Sequence, residues 1–131
     1  MNALIRDLSL SGIHPTDLHA MPLGVAERSA LDIPHQIPGY IIPYQDINGL
    51  PTPFYRARLF DFSSKYRQPK GVGNQLYFPP AFKATLNGHP YVLITEGEKK
   101  AASANRISIP AVALGGVYSW RNKSVILPEN A

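Results

Sequence analysis

Cysteine is absent from this 131-residue chain, which excludes disulfide bonds and thiolate metal sites. No apolar run approaches the roughly 20 residues that a membrane-spanning helix requires. The first ten residues include Arg6 and Asp7 and lack the long apolar stretch of a secretion signal. These absences predict a cytoplasmic protein without a membrane partner.

Several catalytic and metal-binding patterns are missing as well. Four histidines are present, namely His14, His19, His35 and His89. They lack the spacing of metal ligands, and neither a Ser-His-Asp set nor a P-loop occurs. The chain contains no Asp-x-Asp, and Glu129 is the only acidic residue after Glu98. These gaps argue against a serine hydrolase and a P-loop nucleotidase.

The most informative stretch that is present joins an apolar run, a carboxylate, a glycine and a polar segment. Tyr91–Thr95 is short and β-branched, which predicts a buried strand. Alanines and an isoleucine then recur at helical spacing, and 109–114 predicts a second buried strand. Glu96 is therefore expected at the carboxyl end of a strand, where open α/β sheets bind ligands. The alternative is that Glu96 only complements the dipole of the following helix.

The remaining patterns predict short elements before this strand-helix-strand unit. In chain order they are helices over Asn2–Leu10, Pro15–Met21 and Ala26–Leu31, a hairpin of Tyr40–Tyr44 with Phe54–Phe60, a strand over Gln75–Phe78 and a helical turn at Ala81–Leu86. Pro51 and Pro53 are expected to delay the start of the second hairpin strand, and Ser124–Leu127 predicts a last strand or edge piece. The fold class is α+β or α/β: a helical region over 1–38, a β-hairpin region over 39–88 and an incomplete α/β unit over 89–131, in one compact domain.

Positive charge is concentrated in the hairpin region. The formal net charge is +4, and one short stretch holds five cations, Arg56, Arg58, Lys65, Arg67 and Lys70. Alternation places both arginines opposite Tyr55, Ala57 and Leu59, so we expect an open face that binds phosphates and that can be mutated without loss of stability. The alternatives are a solvated sheet face and a mobile loop.

Two lysines, Lys99 and Lys100, follow Glu96 in the first turns of the predicted helix. Either one is placed to meet a phosphate at the Glu96 edge. The alternative is a solvated helix face. Glu98 is expected to support Glu96 or to favour the start of the helix.

The run 93–101, followed by Ala113-Leu114-Gly115-Gly116-Val117 and by Trp120, resembles the first half of a TOPRIM domain. An ordered set of earlier motifs resembles primase-like proteins of phages, plasmids and integrated elements: Ser11-Gly12-Ile13, residues 38–44, Asn48-Gly49, residues 55–59, residues 65–71 and residues 76–80. The resemblance covers nearly the whole chain. It departs from the family in lacking the second acidic pair, which the family places on a later strand.

The resemblance implies nucleotidyl transfer, with Glu96 as the catalytic residue and the Mg²⁺ ligand. Because the second acidic pair would follow Ala131, we expect a fragment of a mobile-element replication protein that is inactive alone and holds Mg²⁺ weakly or not at all. The implied partners are single-stranded DNA or RNA, nucleotides and a helicase domain or subunit. A non-catalytic nucleic-acid- or partner-binding module and a nuclease of the same fold remain alternatives.

Overall fold

A computed structural model describes residues 3–60, 66–69, 71, 73 and 75–114. The helices are α1 (Ala3–Ser9), a 3-10 turn (Pro15–Asp17), α2 (Val25–Leu31), α3 (Phe82–Leu86) and α4 (Glu98–Arg106). The strands are β1 (Met21–Pro22), β2 (Gly39–Gln45), β3 (Pro51–Leu59), β4 (Tyr66–Arg67), β5 (Leu93–Thr95) and β6 (Ala111–Ala113). The mixed α+β class predicted from the sequence is confirmed.

An antiparallel hairpin of β2 and β3 forms the centre of a four-stranded sheet with the order β1-β2-β3-β4. The register pairs Tyr40 with Arg58 and Ile42 with Arg56. At the turn, Gly49 has a φ of +86°, a conformation that glycine adopts without strain. The predicted hairpin is confirmed, but the predicted late start of its second strand is wrong. Pro51 is the first residue of β3, at an end of the strand where β2 is the only neighbour among the described strands. A strand tolerates proline at such a position.

The two faces of this sheet are covered by different helices. On one face, which we call the α4 face, Tyr40, Ile42 and Tyr44 join the core cluster that includes Leu8 of α1 and Ala101 of α4. On the opposite face, which we call the α2 face, the cluster comprises Leu31, Ile33, Ile41, Ala57 and Leu59. The alternation of each strand therefore divides its side chains between two buried clusters.

The strands β5 and β6 and the helix α4 form a strand-helix-strand unit, as the sequence predicts, and the two strands are parallel. Leu93 pairs with Ala111 and Thr95 with Ala113. The buried Asn105 ties the helix to β6, because its Nδ2 donates to the carbonyl oxygens of Ala101 (2.8 Å) and Ala111 (2.9 Å). The carboxyl ends of β5 and β6 consequently lie at one edge, with the amino end of α4 beside them.

Three predictions about the secondary structure were wrong. Residues 91–94 are exposed rather than buried; Ile94, for example, is 64% exposed. Residues 75–78 form no continuous strand, and Tyr77 instead makes an isolated antiparallel bridge with Ala113. Only Pro15–Asp17 of the predicted second helix is helical, as one 3-10 turn, because the chain then enters β1. The predicted piece over Ser124–Leu127 lies outside the described residues.

The three predicted regions share one core, since the cluster on the α4 face draws residues from 1–38, 39–88 and 89–131. In the described part of the chain, no helix has the length and apolar character needed to cross a membrane.

Candidate functional site

Glu96 lies where the sequence predicts it, directly after β5 and before α4. Its carboxylate is 48% exposed, and its Oε1 accepts a hydrogen bond from Lys100 Nζ at 2.9 Å. Gly97 caps the helix in an extended conformation, and a Cβ placed there would meet no atom of the described residues within 4 Å. The described part of the chain therefore leaves this edge uncovered, and one carboxylate and one ammonium group are close together on it.

The described residues do not complete a magnesium site around Glu96. Within the described ranges, no three His, Cys, Asp or Glu side chains lie close enough together to hold a metal ion. The nearest carboxylate along the chain, Glu98, points into the protein rather than toward the edge. Magnesium usually requires one or two carboxylates together with substrate phosphates. Glu96 alone does not provide that set, and we derive no chemical step through a metal.

Glu98 is the centre of a buried polar cluster. Its side chain is only 3% exposed, and its Oε2 accepts from the Tyr44 hydroxyl at 2.7 Å and from an Arg56 nitrogen at 3.0 Å. The Arg56 guanidinium also lies 4.5 Å from the centroid of the Tyr66 ring. This cluster joins α4 to β2 and β3, and the carboxylate lies in the first helical turn, where the helix dipole favours negative charge.

A second polar cluster lies where α1, β2 and α4 meet. Asp7 of α1 accepts hydrogen bonds from the Tyr40 hydroxyl at 2.8 Å and from Lys99 Nζ at 2.6 Å. The carboxylate is 17% exposed and the lysine 21% exposed, so this cluster is closer to the surface than the Glu98 cluster. Lys99 is therefore paired with α1 instead of pointing to the Glu96 edge.

The expectation that Arg56 and Arg58 lie on an open face needs correction. Both are opposite Ala57 and Leu59, as predicted, but that face is covered by α1 and α4. Arg56 is only 12% exposed, whereas Arg58 is partly exposed, with its guanidinium 5.8 Å from the Phe60 centroid and 5.3 Å from the Tyr66 centroid. Arg56 therefore has a structural partner in Glu98, whereas Arg58 donates to the carbonyl oxygen of Leu59.

The other predicted cations are separated. Arg67 donates to the carbonyl oxygens of Leu31 (2.9 Å) and Asp32 (3.1 Å), which ties β4 to the end of α2. Lys65 and Lys70 lie outside the described residues. The structure thus brings Arg56, Arg58 and Lys99 to one side of the sheet and leaves Arg67 and Lys100 elsewhere.

Burial determines the protonation states in these clusters. Burial and the adjacent Glu98 carboxylate raise the pKa of the Tyr44 hydroxyl well above its ordinary value of 10.0. For Arg56, burial lowers the pKa, but the charge of Glu98 outweighs it and the pKa lies above its ordinary value. At neutral pH the cluster consequently holds a protonated tyrosine and a charged guanidinium.

Sequence reasoning missed Asp7, Tyr40 and Tyr44 as members of the polar clusters. One signal was available, because Tyr40 and Tyr44 share the alternation that places Arg56 and Arg58 on the same face. The chain positions of Asp7 and Glu98 gave no comparable signal, since both contacts join residues far apart in sequence. Comparison of the chain with protein-family models, with curated proteins and with solved structures gives no match. The functional proposal therefore depends on this geometry and on the resemblance in sequence.

Proposed function

We propose that this chain is part of a primase-type replication protein of a mobile element and that it binds single-stranded nucleic acid or nucleotide phosphates. The observation that carries the proposal is the environment of Arg58. This partly exposed cation lies between two aromatic rings, those of Phe60 and Tyr66, and Asp7 is close enough to both Arg58 and Lys99 for their charges to lower its pKa.

A cation flanked by rings suits a single strand better than it suits an acidic protein surface. The guanidinium of Arg58 can bind phosphate oxygens in a planar fork, and the rings of Phe60 and Tyr66 beside it add aromatic side chains to the same surface. Sequence-independent binding of single strands uses this combination of positive charge and aromatic faces. The proposed surface therefore comprises Arg58, Phe60, Tyr66 and Lys99.

Binding can be tested with a fluorescein-labelled single strand of 20 nucleotides, as DNA and as RNA, at several salt concentrations. Arg58→Gln should weaken binding and flatten the plot of log K against log salt by about 0.7, the contribution of one phosphate contact in a single strand. Lys83→Gln is the matched control, because Lys83 is an exposed cation on α3. Equal affinities and slopes in the wild type and Arg58→Gln would overturn the proposed surface.

Glu96 is proposed as the contribution of this chain to catalysis in a complete protein. It is the exposed carboxylate at the carboxyl ends of β5 and β6, the position at which open α/β sheets hold their ligands. The remaining acidic groups must come from outside the described residues. We therefore propose that the chain alone binds nucleic acid and does not extend a primer.

A second candidate function is a binding module that has no catalytic role. It is favoured by the pairing of Glu96 with Lys100 and by the burial of Glu98, which leave no second carboxylate at the edge among those residues of 3–114 that the structure describes. The two candidates separate when the wild type and Glu96→Gln are incubated with labelled single strands, nucleotides and Mg²⁺. Extension that is lost in Glu96→Gln supports a primase, and cleavage lost in the same variant supports a nuclease. Identical product patterns in both proteins support the module.

A further inference from the structure

Two strong hydrogen-bond donors from different elements converge on one carboxylate oxygen near the surface. Tyr40 of β2 and Lys99 of α4 both donate to Oδ2 of Asp7. Arg58 of β3 lies directly across from Tyr40 in the strand register, and its charge lowers the pKa of the same carboxyl group. A hydroxyl and an ammonium group thus bind an anion that α1 supplies, and a guanidinium stands at the neighbouring strand position.

The donors are held in place independently of Asp7. Tyr40 is fully buried in the core, so its ring and its hydroxyl have a fixed position. Lys99 follows Glu98 on α4, and the Glu98 contacts with Tyr44 and Arg56 fasten that helical turn to the sheet. The donor group is therefore part of the framework, and the carboxylate is the part that can leave.

The element that carries Asp7 is short. The helix α1 has seven residues, of which Leu8 is buried and Leu4 packs, partly buried, against the same core. Isolated helices shorter than about 12–15 residues are marginal in water, so α1 depends on these contacts and on the Asp7 cluster. The Asp7 carboxylate is also 17% exposed, which leaves an approach for a competing anion.

A phosphate group satisfies these donors at least as well as a carboxylate. Its oxygens are strong acceptors for charge-assisted hydrogen bonds from lysine and arginine. The rings of Phe60 and Tyr66 lie beside Arg58, so the surface combines positive charge with aromatic side chains, as single-strand binding sites do. Free acidic peptides would use the donors without using these rings.

We infer that Asp7 occupies a phosphate site formed by Tyr40, Arg58 and Lys99, and that a phosphate of single-stranded nucleic acid displaces it. This inference rests on the proposed function and adds regulation to it, because α1 then acts as an internal competitor of the ligand. Binding requires the Asp7 carboxylate to leave, so removal of its charge strengthens binding.

The test compares the wild type with Asp7→Asn in the single-strand titration. Asp7→Asn should bind about two- to fivefold more tightly, the ratio that corresponds to removal of one weak competing ion pair. The slope of log K against log salt should differ little between the two proteins, because the same cations meet a phosphate in both complexes. The double variant Asp7→Asn/Lys99→Gln should lose the gain in affinity.

The matched control is Asp17→Asn. Asp17, in the 3-10 turn, pairs at 2.7 Å with Arg106, the last residue of α4, whereas Lys99 lies in the first turn of that helix. Asp17→Asn should leave affinity and slope unchanged. An equal gain in both variants would indicate a general charge effect and overturn the site.

A measurement on the wild type avoids dependence on the folding of Asp7→Asn. On saturation with the oligonucleotide, the carbon-13 shift of the Asp7 carboxyl group should move toward that of a solvated aspartate. If the wild type binds the strand and neither this shift nor the affinity of Asp7→Asn changes, the inference fails and the proposed function stands. If the wild type and both lysine-retaining variants, Asp7→Asn and Asp17→Asn, show no binding, the proposed function itself fails.

Discussion

The two sheets of this protein differ in how much of each strand is covered. In the antiparallel sheet, Ile42 on one face and Leu59 on the other are both fully buried. In the parallel pair, Val112 of β6 is 5% exposed, but Leu93 and Ile94 of β5 are 45% and 64% exposed. Apolar, β-branched residues thus form strands in both sheets, and only the presence of packed neighbours separates core from surface.

The same contrast applies to two carboxylates that lie two residues apart. Glu96, at the edge of the parallel pair, is 48% exposed and bonds to a lysine one helical turn away. Glu98 is 3% exposed and bonds to the antiparallel sheet. A carboxylate at the edge remains available to a ligand, whereas a carboxylate packed against the antiparallel sheet becomes a structural group.

The largest loss of stability should come from breaking the buried ion pair of Arg56 and Glu98. Arg56→Ala leaves the Glu98 carboxylate buried without its cation, which costs about 3–5 kcal/mol. Urea unfolding measures this loss, with Lys83→Ala on the exposed side of α3 as the matched control. The double variant Arg56→Met/Glu98→Gln should recover part of the lost stability, because it removes both charges. A loss below about 1 kcal/mol in Arg56→Ala would show that the pair is not the link between α4 and the sheet.

A smaller loss of stability is expected from the parallel pair, and it should differ between its two strands. Val112→Ala on β6 removes buried methyl groups and should cost about 1.5–3 kcal/mol. Ile94→Ala on β5 deletes a larger side chain but should change the free energy of unfolding by no more than about 0.5 kcal/mol, because that side chain is already in water. Similar losses for the two variants would mean that β5 is covered in solution.

The cluster of Asp7, Tyr40 and Lys99 should contribute less to the free energy of unfolding, and its contribution should depend on pH. Burial of Asp7 raises its pKa, but the hydrogen bonds from Lys99 and Tyr40 outweigh burial, and the pKa lies below the ordinary value of 3.8. The cluster therefore stabilises the fold above that pH, and the contribution is lost as the pH falls through the folded-state pKa. At pH 7 the free energy of unfolding of the wild type should exceed that of Asp7→Asn by about 1 kcal/mol. If this difference between the two proteins does not narrow in unfolding titrations below pH 3.8, the assignment is contradicted.

The smallest effect belongs to the exposed pair at the strand edge. Glu96 lies just before α4, four positions ahead of Lys100, and exposed pairs at this spacing contribute about 0.3–0.5 kcal/mol. A double-mutant cycle with Glu96→Gln and Lys100→Gln measures the coupling. A coupling energy above 1 kcal/mol would place Glu96 among the structural carboxylates and remove it as a candidate ligand group.

Much of the local structure was predictable because it depends on neighbours in sequence. The alternation of Phe54–Phe60 correctly divided the side chains of β3 between two faces. The run from Leu93 to Ala113 correctly predicted a strand-helix-strand unit, whose strands the structure shows to be parallel. Burial was predicted less well. Tyr91–Thr95 has the composition of a buried strand, yet among the described strands it pairs only with β6, so composition overstated how much of it is covered.

The candidate site shows the same limit. The sequence identified Arg56, Arg58 and Lys99 as cations on their elements, but it gave no sign that Glu98 would neutralise the first and Asp7 the third. The Glu98–Arg56 contact spans 42 positions and the Asp7–Lys99 contact spans 92. Pairings over such separations depend on how helices pack on a sheet, which local periodicity does not report.

The sequence by itself determined the helices α1 to α4, the central hairpin, which side chains of β3 share a face, and that Glu96 follows a strand. These properties are local, because side-chain periodicity and backbone preference act over a few residues. Only the tertiary structure decided which face of the sheet is covered, which cations remain accessible, and that α1 places a carboxylate among them. The physical reason is that burial and ion pairing depend on the position of α1 and α4 against the sheet, and that position results from the packing of Leu8, Ala101 and the tyrosines of β2 into one core.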